Sequence, residues 1–300
     1  MTCVGYGKII LLGEHAVVYG YPALASALDR GVTVAPVPTP AGGPLRFELR
    51  SWNVAVAAGD DHPVARSLAA IADALGAGRP PLTLVADAQI PPGAGLGSSA
   101  ALAVAVARAL HSHLRRPADV AALSRAAGAS ETLVHGRPSG VDVALAIAGG
   151  VGVFRRATGL APLIGVPALR VLVGPSGAPR STAAMIDQVA AATAGRADDD
   201  RLRELGALTD TGTQALLTGD PAALGAAMNR AHRLLGELGV STAQLDALCD
   251  AARAAGAQGA KLTGAGGGGA VIAIAPRAHE PAVLAAWKRA GVDGFVTSVR

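Results

Sequence analysis

Aromatic side chains make up only 3% of this 300-residue chain, which also holds just two cysteines and three methionines. A core must therefore be built from small and branched aliphatic side chains. The 51% hydrophobic content supplies enough of them for one large or two medium domains. Two cysteines, Cys3 and Cys249, exclude a disulfide framework and read as reduced thiols of a cytoplasmic protein. Long apolar runs are missing too. Ile9-Ile10-Leu11-Leu12 is cut short by Glu14, and the longest apolar helix is interrupted by Arg108. Both fall well below the roughly 18 residues a membrane span needs, so neither a signal peptide nor a membrane anchor is expected. Charge is thin and scattered: 26 Lys and Arg against 22 Asp and Glu leave +4. That pattern excludes a nucleic-acid footprint but suits polyanionic substrates.

Glycine, at 39 residues, is what the chain has in plenty. Pro91-Pro92-Gly93-Ala94-Gly95-Leu96-Gly97-Ser98-Ser99-Ala100 stands between a strand-like Leu82-Thr83-Leu84-Val85 and the apolar run Ala100 to Leu110. Glycines at such a junction let backbone N–H groups converge on an anion, and the helix that follows adds its positive dipole end. A serine at the helix start can cap it and reach a Mg²⁺ on the phosphates. The stretch is not a Walker loop, which ends Gly-Lys-Ser/Thr, nor the dinucleotide fingerprint. From the pattern alone, an ordinary glycine-rich turn stays equally open.

Three further stretches carry chemistry-bearing residues. Lys8 opens an apolar strand that ends at Gly13, beside the pair Glu14-His15. By residue type Lys8 reads as a surface lysine. Glu131 precedes His135-Gly136-Arg137-Pro138-Ser139-Gly140-Val141-Asp142. Here Glu131 reads equally as a helix-surface charge and Asp142 as an N-cap. Lys261-Leu262-Thr263-Gly264-Ala265-Gly266-Gly267-Gly268-Gly269 runs into the strand Ala270–Ala275. His111 and His113, two apart on a helix, do not share a face and read as surface residues. A strand at Val151–Phe154 closes the first half, and Thr158–Pro167 reads as a linker. The second half shows a strand, helices near Thr182–Thr193, Arg201–Thr218, Pro221–Leu238 and Thr242–Ala255, then the glycine run. Without tight hairpins, it predicts an α+β sandwich.

Taken together and in this order, Lys8–Leu28, Pro91–Ala101, Glu131–Asp142 with Gly149-Gly150, and Lys261–Gly269 resemble the GHMP small-molecule kinases over nearly the whole chain. Gly-Glu-His-Ala-Val-Val-Tyr-Gly at 13–20 is similar to the branch that phosphorylates the C5 hydroxyl of (R)-mevalonate. The phosphomevalonate-phosphorylating branch carries Glu-Tyr there instead. That branch, and a non-catalytic ATP-binding regulator of the same fold, are the alternatives. Val143, where Asn is frequent, and Gly5-Tyr6-Gly7 before Lys8 depart from the pattern.

The resemblance implies an α+β, two-lobed fold: residues 1–165 like ribosomal protein S5 domain 2, and residues 166–300 ferredoxin-like, with the active site between. It implies MgATP as phosphoryl donor, in many members a homodimer, and raises feedback inhibition by prenyl diphosphates. By the same resemblance Pro92, Gly93, Ala94, Gly95, Leu96, Gly97, Ser98 and Ser99 hold the ATP phosphates. Ser99 (or Ser98) and Glu131 hold Mg²⁺. Asp142 is the base, with Lys8 beside it, and Glu14, His15, Ser139, Gly140, Gly264 and Ala265 contact the alcohol substrate.

Overall fold

The computed structural model describes residues 2–40, 42–117, 119–136, 138–178 and 181–299, so Arg137 of the 131–142 motif lies outside the described residues. The chain divides into two compact units, each entered more than once. The first comprises Met1–Gly7, Arg30–Pro92 and Gly97–Gly149; the second comprises Lys8–Asp29, Gly93–Leu96 and Gly150–Arg300. Two long strands, β1 (Cys3–Leu12) and β2 (Ala23–Pro38), contribute residues to both.

In the first unit the later half of β2 pairs antiparallel with β5 (Leu82–Ala88), joining β3 (Arg46–Leu49) and β4 (Val54–Ala57) in the order β4-β3-β5-β2. Helix α1 (Pro63–Ala74) starts where His62 caps the Val64 N–H and Pro63 fills the first position. It buries Leu68 and Ile71. Helix α2 (Ser98–His113) is alanine-rich because it is covered nearly all round, with eleven of its sixteen residues buried. His111 is among them, against the expectation of a surface residue. Helix α3 (Val120–His135), capped by Asp119, packs on α1 and α2, and α4 (Val141–Ala148) packs on α2. Arg108 of α2 donates to the Val4 carbonyl and, at 2.8 Å, to the Ile147 carbonyl at the end of α4. The charge that interrupts the apolar run thus ties three elements together.

In the second unit the early half of β2 pairs with β6 (Val151–Arg155), which turns back antiparallel into β7 (Gly159–Pro162). Part of the expected linker is therefore an edge strand, held by ladder bonds its composition does not reveal. A second sheet of four antiparallel strands follows, in the order β11-β8-β10-β9. Its members are β8 (Leu169–Pro175), β9 (Gly259–Thr263), β10 (Ala270–Ile274) and β11 (Phe295–Val299). Between β8 and β9 run α5 (Thr182–Ala192), α6 (Asp200–Thr218), α7 (Pro221–Glu237) and α8 (Ala243–Ala254), and α9 (Glu280–Arg289) precedes β11. The α+β class is as expected, but β9 was not: it forms a hairpin with β10 around the glycine run. Its five residues are all buried, so no alternation marks it as a strand. Helix α7 approaches β9 closely because a Cβ on Gly225 would stand 2.7 Å from the Gln258 carbonyl carbon and one on Gly259 2.4 Å from the Gly225 Cα. Among the described residues no helix is long and apolar enough to cross a membrane.

The outer edge of β9 is closed by side chains rather than by another strand. Asn229 of α7 accepts from the Ala260 N–H and donates to the Gln258 carbonyl, each at 3.0 Å. His232 Nδ1 accepts from the Leu262 N–H at 3.3 Å, while its Nε2 meets Asp246 at 3.1 Å. An accepting Nδ1 requires the neutral ring. Burial holds the His232 pKa down, from an ordinary 6.5 to about 4, although Asp246 pulls the other way. Between these values the unfolded chain binds a proton that the folded one refuses. Stability is thus fully present above pH 6.5 and falls toward pH 4, by up to about 3 kcal/mol. His232→Asn keeps an acceptor but has no proton to take up. Urea unfolding of this variant at pH 7 and pH 4 is expected to show a smaller acid loss than the parent; an equal loss removes His232 as the cause.

Candidate active site

Between β5 and α2 the backbone alternates in hand. Gly93, Gly95 and Gly97 have φ of 71°, 78° and 74°, with Ala94 and Leu96 between them. Left-handed conformations at alternate residues turn neighbouring N–H groups to one side, forming an anion-binding concavity. Gly97 is also the N-cap of α2, and no side chain caps that helix. This corrects the expectation of a serine cap: the hydroxyls of Ser98 and Ser99 are not spent on the helix start. The first intrahelical bond is Ala101 N–H to the Gly97 carbonyl, at 2.9 Å. The N–H groups ahead of it, with the positive end of a sixteen-residue helix, make an electropositive mouth. The Lys8 N–H donates to the Leu96 carbonyl at 2.8 Å, which ties the loop to β1.

In the first unit Ser99 and Glu131 converge. Ser99 Oγ lies 3.2 Å from His135 Nε2, and Glu131 Oε2 lies 3.7 Å from the same nitrogen. Ser99 and Glu131 thus meet at one imidazole nitrogen, and both carry hard oxygens of the kind Mg²⁺ takes beside phosphates and waters. Glu131 is 1% exposed, which rules out the helix-surface reading. Asp142 lies in the first turn of α4, where the helix dipole favours a carboxylate. It is not the N-cap; Gly140, at φ 91°, is. Ser139 Oγ accepts weakly from the Val141 N–H, at 3.4 Å.

In the second unit Lys8 is 2% exposed, Glu14 1% and Lys261 0%, so the surface reading of Lys8 does not hold. Lys261 Nζ donates to Glu14 Oε1 and, at 2.6 Å, to the Leu262 carbonyl. Burial pushes the Glu14 carboxyl up and the Lys261 ammonium down, and the attraction between them works against both shifts. His15 Nε2 lies 2.8 Å from the Ala265 carbonyl; a carbonyl only accepts, so this nitrogen carries the proton. Thr263, at the end of β9, donates to the Ile10 carbonyl at 3.0 Å and accepts from the Ile10 N–H at 2.9 Å. Gly264 and Gly266–Gly269 all have positive φ. Gly266 passes so close to α7's end that a Cβ would meet the Val240 carbonyl oxygen at 2.1 Å.

The fold thus gathers Ser99 and Glu131 in the first unit, where Ser98, Ser139, Gly140 and Asp142 also stand. It gathers Glu14, His15, Gly264 and Ala265 in the second, where Lys8 and Gly93–Leu96 also lie. Lys8 and Asp142, the expected couple, belong to different units. Two participants carried no role in the sequence reading. Lys261 was only a motif letter, although a lysine opening an apolar strand repeats the pattern of Lys8. His135, four residues from Glu131, shares its helix face, but the Ser99 it meets is 36 residues away.

Uncapped N–H groups at the head of a buried helix, with a serine in its first turn, are the kind of structure that phosphate-handling proteins use. Two family models match, GHMP kinases N terminal domain over residues 62–150 and GHMP kinases C terminal over residues 213–293. The chain belongs to the GHMP kinase family. The mevalonate kinase of Aeropyrum pernix is 35% identical, with 89% of this chain and 86% of that one covered. That of Thermococcus sibiricus is 35% identical, with 97% and 94% covered. Among solved structures, L. major mevalonate kinase in complex with R-mevalonate is 26% identical with a TM-score of 0.87, covering 100% of this chain and 96% of that one.

Proposed function

We propose that the protein is a mevalonate kinase that transfers the γ-phosphoryl group of ATP to the C5 hydroxyl of (R)-mevalonate in the cytoplasm. The observation that carries this reading is the likeness to mevalonate kinases, at 35% identity over 97% of this chain for that of Thermococcus sibiricus. The Glu14-His15 pair favours this substrate over phosphomevalonate, whose kinases carry tyrosine at the second position. The proposed limits of the two family domains are 1–165 and 166–300.

Phosphoryl transfer passes through a loose transition state with charge spread over three oxygens, so the protein mainly positions groups and neutralises charge. Residues 92–99 bind the ATP phosphates through backbone N–H groups. Ser99 and Glu131 would hold Mg²⁺, which would offset phosphate charge; Ser98 is the alternative hydroxyl. Asp142 accepts the proton of the C5 hydroxyl. The freed oxygen bonds to the γ-phosphorus as the bond to the bridging oxygen breaks, leaving ADP and 5-phosphomevalonate. Lys8 favours the developing alkoxide by its opposite charge. Glu14, His15, Ser139, Gly140, Gly264 and Ala265 contact mevalonate. Homodimerisation and inhibition by prenyl diphosphates rest on the family resemblance alone.

ADP release is expected with mevalonate and not with phosphomevalonate, homoserine or galactose. Nucleotide binding without turnover of any of them points to a regulator instead. Asp142→Asn and Lys8→Met are each expected to keep ATP binding and lose about 10²–10⁴ in kcat, the usual weight of positioned acid–base groups. Near-normal turnover removes either residue from the mechanism. Glu131→Gln is expected to shift the Mg²⁺ titration of activity to higher concentration; an unchanged curve leaves Glu131 a structural role only.

A further inference from the structure

The residue between Glu14 and Ala16 adopts a backbone that side-chain-bearing residues avoid. His15 has φ 60° and ψ −48°, and the Ala16 N–H donates back to the Glu14 carbonyl at 2.7 Å. That three-residue ring is the strained, φ-positive form of the γ-turn. Such a conformation persists only where its surroundings over-determine it. The chain after the turn is held by burial of Ala16 and Val17 and by the Val17 N–H on the Gly13 carbonyl, at 3.1 Å. The His15 ring is held by Ala265. The Glu14 side chain is held by Lys261, for its other oxygen, Oε2, is buried with no hydrogen-bond partner among the described residues. Lys261 itself cannot drift. It lies in the middle of β9, with Thr263 clamped to Ile10 of β1 two residues on and a second bond from Nζ to the Leu262 carbonyl.

We propose that Lys261 is a positioning residue for substrate recognition: by holding the Glu14 carboxylate it keeps His15 in the γ-turn, with the imidazole presented to the alcohol substrate. The second half of this statement rests on the mevalonate reading above. A lysine that merely compensated a buried charge would be indifferent to the geometry of the next residue. A lysine that sets the turn must affect recognition of the alcohol and spare ATP.

Two measurements on Lys261→Met, taken together, decide the matter. The KM for mevalonate is expected to rise by at least about tenfold while kcat and the KM for ATP stay within about threefold, the mark of lost binding common to ground and transition states. Hydrogen exchange of the Ala16 amide is expected to accelerate by at least about tenfold while amides of β10 keep their rates, since only the turn is released. Lys261→Gln keeps a donor toward Glu14. It is expected to move both quantities the same way by less, and it replaces the methionine variant if that chain does not fold. Unchanged Ala16 exchange, an unchanged KM for mevalonate, or a uniform rise in exchange with all kinetic constants moving together overturns the proposal. If the parent enzyme does not turn over mevalonate, the functional reading fails, while Ala16 exchange still decides whether Lys261 holds the turn.

Discussion

The pairing of Lys261 with Glu14 is the interaction on which the turn at the end of β1 and the glycine run after β9 depend. Both side chains are almost fully withdrawn from water, and Lys8 adds a third buried charge that favours the Glu14 anion and opposes the Lys261 cation. Isolated charges in such a place cost several kcal/mol each. The pair repays that cost only through close contact, and removal of one partner typically destabilises by about 3–5 kcal/mol. An arrangement this demanding is weak evidence of selection for stability. It fits instead the need to hold the β1 exit turn and the glycine loop beside each other in a single geometry. The threonine clamp on Ile10 and the histidine contact with Ala265 serve the same end.

The loop ahead of α2 is held differently. Nothing caps α2, so its first N–H groups have no side-chain partner. Together with the helix dipole they make the head of α2 electropositive. The alternation of glycine with alanine and leucine has a second consequence. Ala94 and Leu96 are buried, so the loop is anchored by its apolar residues while its glycines shape the concavity. The loop is thereby held in one shape by its own buried residues.

The candidate site segments stand out in the sequence because they are short and their residue types have few other uses. The glycine alternation at 93–97, the Glu14-His15 pair behind an apolar strand and the Pro-Ser-Gly turn ahead of Asp142 each point to a backbone shape or a charge placed at the end of an element. The errors share one cause. By type alone His111 reads as exposed, as do Lys8 and Glu131 apart from the family resemblance, yet all three are buried. A residue's type gives its average environment, whereas burial is decided by what packs against it from elsewhere in the chain. The strand β9 escaped for a related reason: buried on both faces, it shows no alternation. Residues 159–162 carry glycine and proline and still form an edge strand, since an edge tolerates what an interior strand does not.

By itself, then, the sequence determined the α+β class, the glycine loop ahead of a buried helix, and which acids, serines and lysines stand at the ends of its elements. These follow from local periodicity, turn chemistry and residue type. Only the tertiary structure decided that Lys261 meets Glu14 across 247 positions and that Ser99 and Glu131 converge on one imidazole nitrogen. It alone decided that His15 is forced into a turn it would not choose. These are long-range contacts or their consequences, and no window of neighbouring residues contains the partner that imposes them.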